Sequence, residues 1–460
     1  MKLKTISSLV GVTLLSGCTS MMQKNDFDAF NSKINTGDFD GAAEVALEHA
    51  GYNKEEGTTD DLLWTLQAGA TLNYAGQYEL STKLLDSTEH MMKSEDTEGT
   101  VTETAELVGS IAGNDAMLDY EQAQYDGVMT NTIKAWNFIA QNDMQNARVE
   151  FNRAEERQRR AAQHFADVIK ERRDELKEEA GESGALVKQS VESDQTKTAL
   201  AKAGIEQGQW KPYEGYVNPF TTYSYALHVM LTGKNKSDFQ KAADSFKRVY
   251  SMTNSSVAKK DYDLARSLAT GATTKKLDNK VWVIFENGQS VVKEEKRVDL
   301  PIFLLSDNVA YSGIALPTLK ERGTVFNDIS VNNVKTETIA DMDKIIGAEF
   351  DQEFPYILAR EITRATVKTI AQKQIKDENE LLGNVFAVLQ VATTGADIRS
   401  FSALPSEYQA TRVDVKGNKV TIKAGNFDMP VELPKDSKKH IIYVKSVSPV
   451  IEPTIKVVNI

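Results

Sequence analysis

Cysteine is almost missing: Cys18 is the only one in 460 residues. A single thiol forms no intrachain disulfide and no multi-cysteine metal site, so stability must come from packing. The five histidines are His49, His90, His164, His228 and His440, and no two lie at the short spacings by which a helix or hairpin builds a zinc site. Gly233-Lys234 lacks the preceding glycine of a phosphate-binding loop, and the chain has no Gly-x-Ser-x-Gly elbow and no calcium loop. Basic charge is in deficit, with 54 Lys and Arg against 66 Asp and Glu, which makes the chain a poor general binder of nucleic acid or anionic lipid. The apolar run from Ile6 to Leu15 is too short to span a bilayer, which needs about 20 residues.

That run is informative in another way. Lys2 and Lys4 precede it and Leu15-Ser16-Gly17-Cys18 closes it, the layout of a secretory signal. A cysteine directly after small residues resembles the lipobox of bacterial lipoproteins. The resemblance implies that residues 1–17 are removed and that Cys18 is acylated, leaving no free thiol. The remaining chain then carries a charge of about −14, because residues 1–17 hold two basic and no acidic side chains. In such systems Asp after the cysteine retains the protein at the inner membrane. Thr19 stands there, so outer-membrane delivery by a lipid anchor, facing the periplasm of a Gram-negative host, is the implication. Residues 18–26 read as a short polar tether.

With 41% hydrophobic and 26% charged residues, the chain is an ordinary globular composition of two to four domains. Residues 27–277 show few prolines and apolar spacings of three and four, the period of helices. A corner pattern recurs in them: Gly37-x-Phe39-x-x-Ala42, Gly76-x-Tyr78-x-x-Ser81, Asn142-x-Met144-x-x-Ala147 and Ser237-x-Phe239-x-x-Ala242. The turn residue reverses the chain, the aromatic or Met seals the corner, and the small residue lets two helices approach. This spacing resembles the tetratricopeptide repeat, with Gly69 and Leu72 in matching positions of a first helix. The copies are unevenly spaced against a nominal repeat of about 34 residues, so an interrupted array is expected. From Asn142 to about Ala180 a narrow apolar stripe runs among mixed charges, predicting a long helix packed on one partner. Arg157, Arg159 and Arg160 on it either grip an anionic glycan or lipid or are neutralised by nearby glutamates. Gly181-Glu182-Ser183-Gly184 opens a polar, mobile insertion to about residue 209.

Near Val281 the period becomes two. Val281 to Phe285 reads as a buried strand before a Glu286-Asn287-Gly288 turn; Val291 to Leu305 gives one or two strands, and Ala310 to Leu316 another that ends at Pro317. Residues 338–375 read as helix broken by Pro355, with a shorter helix from Glu378 to Val391. Ala410–Val415 and Lys419–Lys423 flank a Gly417-Asn418 turn, and strands follow at His440–Val444 and Ile455–Val458. The expected fold class is α+β and multidomain: an all-α, tetratricopeptide-like array over 27–277 and a mixed α+β domain over 278–460.

Several segments in combination resemble a family of poorly characterised bacterial lipoproteins with tetratricopeptide-like repeats. They are Tyr125-Asp126-Gly127 leading to Ala147-Arg148-Val149-Glu150, Asn218-Pro219-Phe220, Phe285-Glu286-Asn287-Gly288, Leu300-Pro301-Ile302, and Ala396-Asp397-Ile398-Arg399-Ser400 ahead of Leu404-Pro405. The resemblance implies an exported, lipid-anchored helical-repeat protein. It brings no reaction, cofactor or catalytic residue.

Two constellations are candidates for chemistry. Asp397 and Arg399, followed by Ser400, would point the same way if extended and bind a polar ligand or act as an acid/base pair; the plain alternative is a loop-locking ion pair. Arg360, Arg364 and Lys368 make a positive stripe for an acidic partner or glycan strand, or a solvated helix face. The sequence favours a non-enzymatic, lipid-anchored scaffold or adaptor for an envelope protein, without cofactor, metal or nucleic acid. Such a scaffold predicts an exposed apolar patch along the repeats. The alternative, a glycan-binding protein or hydrolase, predicts a concave pocket with perturbed titratable groups near Asp397 and Arg399.

Overall fold

The computed structural model describes residues 24–95, 119–161, 184–206, 208–303, 309–378 and 395–460. The helices are α1 (24–35), α2 (Phe39–His49), α3 (Leu62–Ala75), α4 (Tyr78–Glu95), α5 (Gln124–Ala140), α6 (144–161), α7 (Gly184–Glu192), α8 (Asp194–Lys202), α9 (Pro219–Thr232), α10 (Lys236–Thr253) and α11 (Ser256–Ala269), with α12 (Met342–Glu378) inside the strand-rich half. The strands are β1 (Lys280–Asn287), β2 (Val292–Phe303), β3 (Val309–Lys320), β4 (Ser330–Val331), β5 (Val334–Lys335), β6 (Glu337–Asp341), β7 (Glu407–Asp414), β8 (Lys419–Ala424), β9 (Phe427–Glu432), β10 (Lys439–Ser446) and β11 (Thr454–Asn459). The fold is mixed α+β, helices first and sheets after.

Local chemistry sets the helix ends. Asp61 accepts a hydrogen bond from the Trp64 amide at 2.8 Å, and Asn218 caps α9 ahead of Pro219, whose missing N–H costs nothing there. Gly37, Gly76 and Asn142 take left-handed backbone at φ 71°, 84° and 61°, so these three corners turn where the sequence pattern puts them. Behind them Ala42, Ser81 and Ala147 are fully buried. The fourth corner is corrected: Ser237 lies inside α10, and Asn235 caps that helix instead. Within the expected insertion, α7 and α8 put Val187 and Leu200 into a core with β2, β3 and α12.

Five strands form the central sheet in the order β11-β10-β1-β7-β6, with β1 and β10 parallel and the other pairs antiparallel. Trp282 and Ile284 of β1 face the helices, while Val281, Val283 and Phe285 face a four-stranded sheet, β5-β4-β8-β9. A strand covered on both faces reads as an unbroken apolar run, which is why Val281–Phe285 is legible. The Gly417-Asn418 link therefore joins strands of two different sheets, and β8 makes its hairpin with β9 around Gly425-Asn426.

Three further expectations are corrected. Residues 338–341 belong to β6, paired with β7, and the helix starts only at Met342. Pro355 sits inside α12 without ending it; Phe354, Leu358 and Ile362 are buried on both sides of the proline and hold the helix on β2 and β3. Pro317 sits inside β3, opposite Glu295 of β2, in a two-stranded ribbon whose free edge needs no donor from it. The expected helix at Glu378–Val391 lies outside the described residues beyond Glu378.

The helices wrap the central sheet. Helices α3, α5 and α9 are buried along nearly their whole length, and one core runs from Phe30 and Leu66 through Trp136 and Phe220 to Trp282, Tyr408 and Ile441. Phe220 stacks on Tyr408 at 3.5 Å and Trp136 meets Tyr443 at 4.9 Å. Asp261 of α11, fully buried, accepts from Tyr223 at 2.6 Å, from the Trp282 indole at 3.2 Å and from Arg412, tying two helices to β1 and β7. The inner face of the helical array is thus filled by the chain's own sheet.

Candidate ligand cleft

A cleft of about 100 Å³ opens where the start of α5, one face of α12, the β2–β3 ribbon and the segment 395–400 meet. Helix α12 contributes Glu349, Glu353, Tyr356 and Arg360, whose spacings of four, three and four place them on one face. The segment before α5 contributes Tyr120 and Gln122, β2 contributes Lys293, and the 395–400 segment contributes Asp397 and Ser400.

Helix α5 begins in this wall. Asp126 accepts hydrogen bonds from the Ala123 amide and the Tyr120 hydroxyl, both at 2.8 Å. Its second carboxyl oxygen is buried without a partner. Burial pushes the Asp126 carboxyl up to about 7, against the pull of those two bonds. Glu349 reaches over from α12 and accepts from the amides of Gln124 and Tyr125, an acid at a helix N-terminus. Burial, then repulsion from Glu353, still drives its pKa well above the ordinary range. Burial also raises the phenols of Tyr120 and Tyr125 well above 10, so both stay neutral donors.

Asp397 and Arg399 do point together. The Arg399 guanidinium donates to both Asp397 oxygens at 2.9 and 2.8 Å, and its amide donates to the same carboxylate at 3.0 Å. Burial raises Asp397, but the guanidinium overrides it and holds the carboxyl below its usual range. This pair shapes the segment: Arg399 lies 5.7 Å from the Tyr120 ring and reaches the Asp119 carbonyl at 3.4 Å. The Ala396 amide donates to Glu295 of β2 at 3.0 Å, fixing the other end. Asp397 therefore lines the cleft as a paired anion.

The stripe Arg360, Arg364 and Lys368 is divided. Arg360 turns to the cleft and donates to the Tyr356 hydroxyl at 3.2 Å. Arg364 is buried and bonded to Glu361 of its own helix. Lys368 is half-buried, and burial lowers its pKa. Arg157 bonds Asn131 at 2.8 Å within the network around the buried Lys134 on α4, α5 and α6, whereas Arg159 and Arg160 stay exposed and lie 2.5 and 3.9 Å from Glu156 of their own helix. Cys18, with Leu15, Ser16 and Gly17, lies outside the described residues. Among the described residues, no group of three or more His, Asp or Glu is placed to hold a metal, and no helix is long and apolar enough to cross a membrane.

Glu349, Glu353, Tyr356, Tyr120 and Lys293 carry no motif in the sequence, and Asp126 carries no chemical signal there. The first three share one face of α12 with Arg360, but that helix carries charge on its other faces too, so the stripe does not stand out in the sequence. Asp126 stands in the quoted Tyr125-Asp126-Gly127 segment, and the cleft brings it beside Ala396–Ser400, another quoted segment. No protein-family model, curated protein or solved structure matches the chain.

Proposed function

We propose that the protein is a lipid-anchored outer-membrane protein that binds a hydroxyl-rich glycan in this cleft. The carrying observation is the convergence of Tyr120, Tyr125 and Tyr356 with Glu353, Arg360, Lys293 and Asp397 from four separate stretches of chain. Tyrosine rings offer flat apolar faces for the C–H side of a sugar, and carboxylates, guanidinium and amide offer directional partners for its hydroxyls. Perturbed acids next to such a cleft are a mark of functional sites. The Leu15-Ser16-Gly17-Cys18 sequence supports the anchor.

The protein-scaffold reading is the weaker one. The inner face of the array, where a repeat protein usually takes its partner, is filled by the central sheet. The exposed large apolar side chains among the described residues, Val149, Val334 and Val450, sit singly on α6, β5 and the loop before β11. Tetratricopeptide-like ancestry of the hairpins is itself a proposal, supported by the left-handed Gly37, Gly76 and Asn142 corners and by Gly69, where an added Cβ would stand 2.5 Å from Leu85.

The test is co-sedimentation of the chain from Thr19 onward with insoluble polysaccharides and purified cell-wall sacculi. Retention that Tyr356→Ala removes and Tyr356→Phe keeps supports the proposal. Retention indifferent to Tyr356, or none on any glycan, defeats it.

A further inference from the structure

We infer that the open end of the space between the central and the four-stranded sheet is a second ligand site, which takes a small organic acid with an apolar body and one N–H or O–H donor. The site shares no lining residue with the cleft and stands independently of the glycan reading.

The site follows from how five strands end together. Val281 is the first buried residue of β1, Val415 follows β7 and Leu433 follows β9, and all three belong to the core between the two sheets. Beyond them the sheets do not close. The link 415–418 crosses from one sheet to the other, the stretch 433–438 returns from β9 to β10, and Asn279 precedes β1. Between these stretches lies a cavity of about 330 Å³. That is at the low end of the volumes that hold small organic ligands, about 300–1,000 Å³. Val281, Val415 and Leu433 give it an apolar floor, and Asn418, Lys435, Lys438 and His440 stand around it.

His440 is the directional group. It stands two residues before Ile442 and four before Val444, both of that core, so strand alternation points it between the sheets. Its residue is only 5% exposed. Nδ1 lies 2.9 Å from the side-chain oxygen of Asn459, its neighbour on β11. The Asn459 side-chain nitrogen donates to Asp436 at 3.2 Å, which turns that oxygen toward the ring. In the neutral imidazole Nδ1 therefore carries the proton and Nε2 keeps a lone pair. Nε2 has no partner among the described residues, and His440 lines the cavity. A ring locked in one tautomer with its acceptor nitrogen open, over an apolar floor, is fitted to receive a ligand N–H or O–H.

Charge at the mouth runs against the rest of the chain. The net charge is −12, yet the described lining holds Lys435 and Lys438 and no Asp or Glu. The stretches 278–280, 414–419 and 432–440 carry six lysines against four acids. Asp414 pairs with Lys280, Glu432 with Lys419 at 2.7 Å, and Asp436 accepts from Asn459. Asp278 stands 3.9 Å from Lys438, and Lys435 makes no ion pair among the described residues. The Ser437 hydroxyl is spent on the backbone oxygens of Lys439 and Ile460. Exposed lysines attract only modestly in water, so the floor and His440 supply the affinity and the lysines select the sign of the ligand.

Two probes carry the required groups: indole-3-acetate, with a flat apolar body, and N-acetyl-leucine, its aliphatic counterpart. Their binding to the chain from Thr19 onward, which keeps every described residue, is measured by calorimetry and saturation-transfer NMR. The neutral amides of both and 1-naphthaleneacetate, which lacks the N–H, are measured beside them. At least one of the two acids should bind, with its amide and, for the indole, the naphthalene acid each about three-fold weaker. Lys435→Glu with Lys438→Glu should weaken the acid about ten-fold at low salt and less at high salt. Asn418 is half-buried and makes no side-chain hydrogen bond among the described residues, so Asn418→Trp fills the mouth and should abolish binding. The acid and amide comparison needs no variant, and an unchanged urea midpoint shows each variant folded. Binding of neither acid, or binding untouched by Asn418→Trp, overturns the inference. Equal binding of acid and amide overturns the anionic class, and equal binding of the indole and naphthalene acids overturns the role of His440.

Discussion

Asp126 gives the most quantitative consequence of the cleft wall. Its carboxyl is fully buried, accepts two hydrogen bonds on one oxygen and none on the other, and burial lifts its pKa from 3.8 to about 7. The folded state then holds the proton more tightly than the unfolded chain. The stabilisation is complete below about pH 3.8 and is lost as pH rises through about 7. At about 1.4 kcal/mol per unit, Asp126 removes about 3 kcal/mol of stability between pH 5 and pH 8. Asp126→Asn keeps an oxygen for the Ala123 amide and the Tyr120 hydroxyl but has no proton to lose. Its stability relative to the parent protein should therefore rise by about 3 kcal/mol across that interval, whatever fixed cost its buried amide adds. Asp343, raised to about 6 by burial, changes in the same direction in both proteins and cancels in the difference, whereas Glu349 cancels only in part, because the Asp126 charge is among the causes that raise it. Urea unfolding at pH 5, 6, 7 and 8 measures it. Parallel curves for the two proteins would refute the assignment of a raised pKa to Asp126.

Lys134 is almost wholly enclosed and stands 2.6 Å from Asp86 and Glu89 and 3.1 Å from Glu150. Lys134→Met strands the buried Glu89 and Glu150 and should cost about 3 kcal/mol, the low end for a broken buried pair, because Arg157 and Arg153 lie 3.5 and 3.6 Å from Glu89; an unchanged urea midpoint would contradict this. In the intact network burial raises Glu89, but Lys134 and Asn131 override it and lower the carboxyl to about 2, so this contribution is present above about pH 4.5 and fades as pH falls toward 2. Gly288 holds φ 69° with the Gly323 carbonyl where a Cβ would stand, so Gly288→Ala should lose more than about 2 kcal/mol of unfolding free energy, and a neutral result would mean the turn relaxes freely. Cys18→Ser should leave the protein unlabelled by an alkyne palmitate and recovered in the soluble fraction; continued labelling or membrane retention would contradict the anchor.

The legible parts of the fold are those whose cause is local. Val281 to Phe285 announces a strand covered on both faces, and Gly37, Gly76 and Asn142 announce corners because left-handed backbone favours Gly and Asn. Misreadings occur where tertiary packing outweighs a local rule. Pro355 is carried through α12 by Phe354 and Leu358, and Pro317 is tolerated because its ribbon has a free edge. Residues 338–341 pair with β7 although their composition suits a helix equally. At the cleft, Asp397 and Arg399 were visible as a polar pair in an apolar-flanked loop, and so was Arg360 on its helix. Their meeting with Glu349, Tyr120 and Asp126 was not, because it depends on α12 crossing the start of α5, and no local pattern encodes that crossing.

The central claim is that the ligand sits between α12 and the start of α5. Hydrogen exchange on the chain from Thr19 onward, with and without a saturating oligosaccharide found by the sedimentation screen, tests it most directly. The account predicts added protection confined to 120–126, the 349–361 stretch of α12 and 396–403. Protection on the outer helices α10 and α11, with those three segments unchanged, would contradict it.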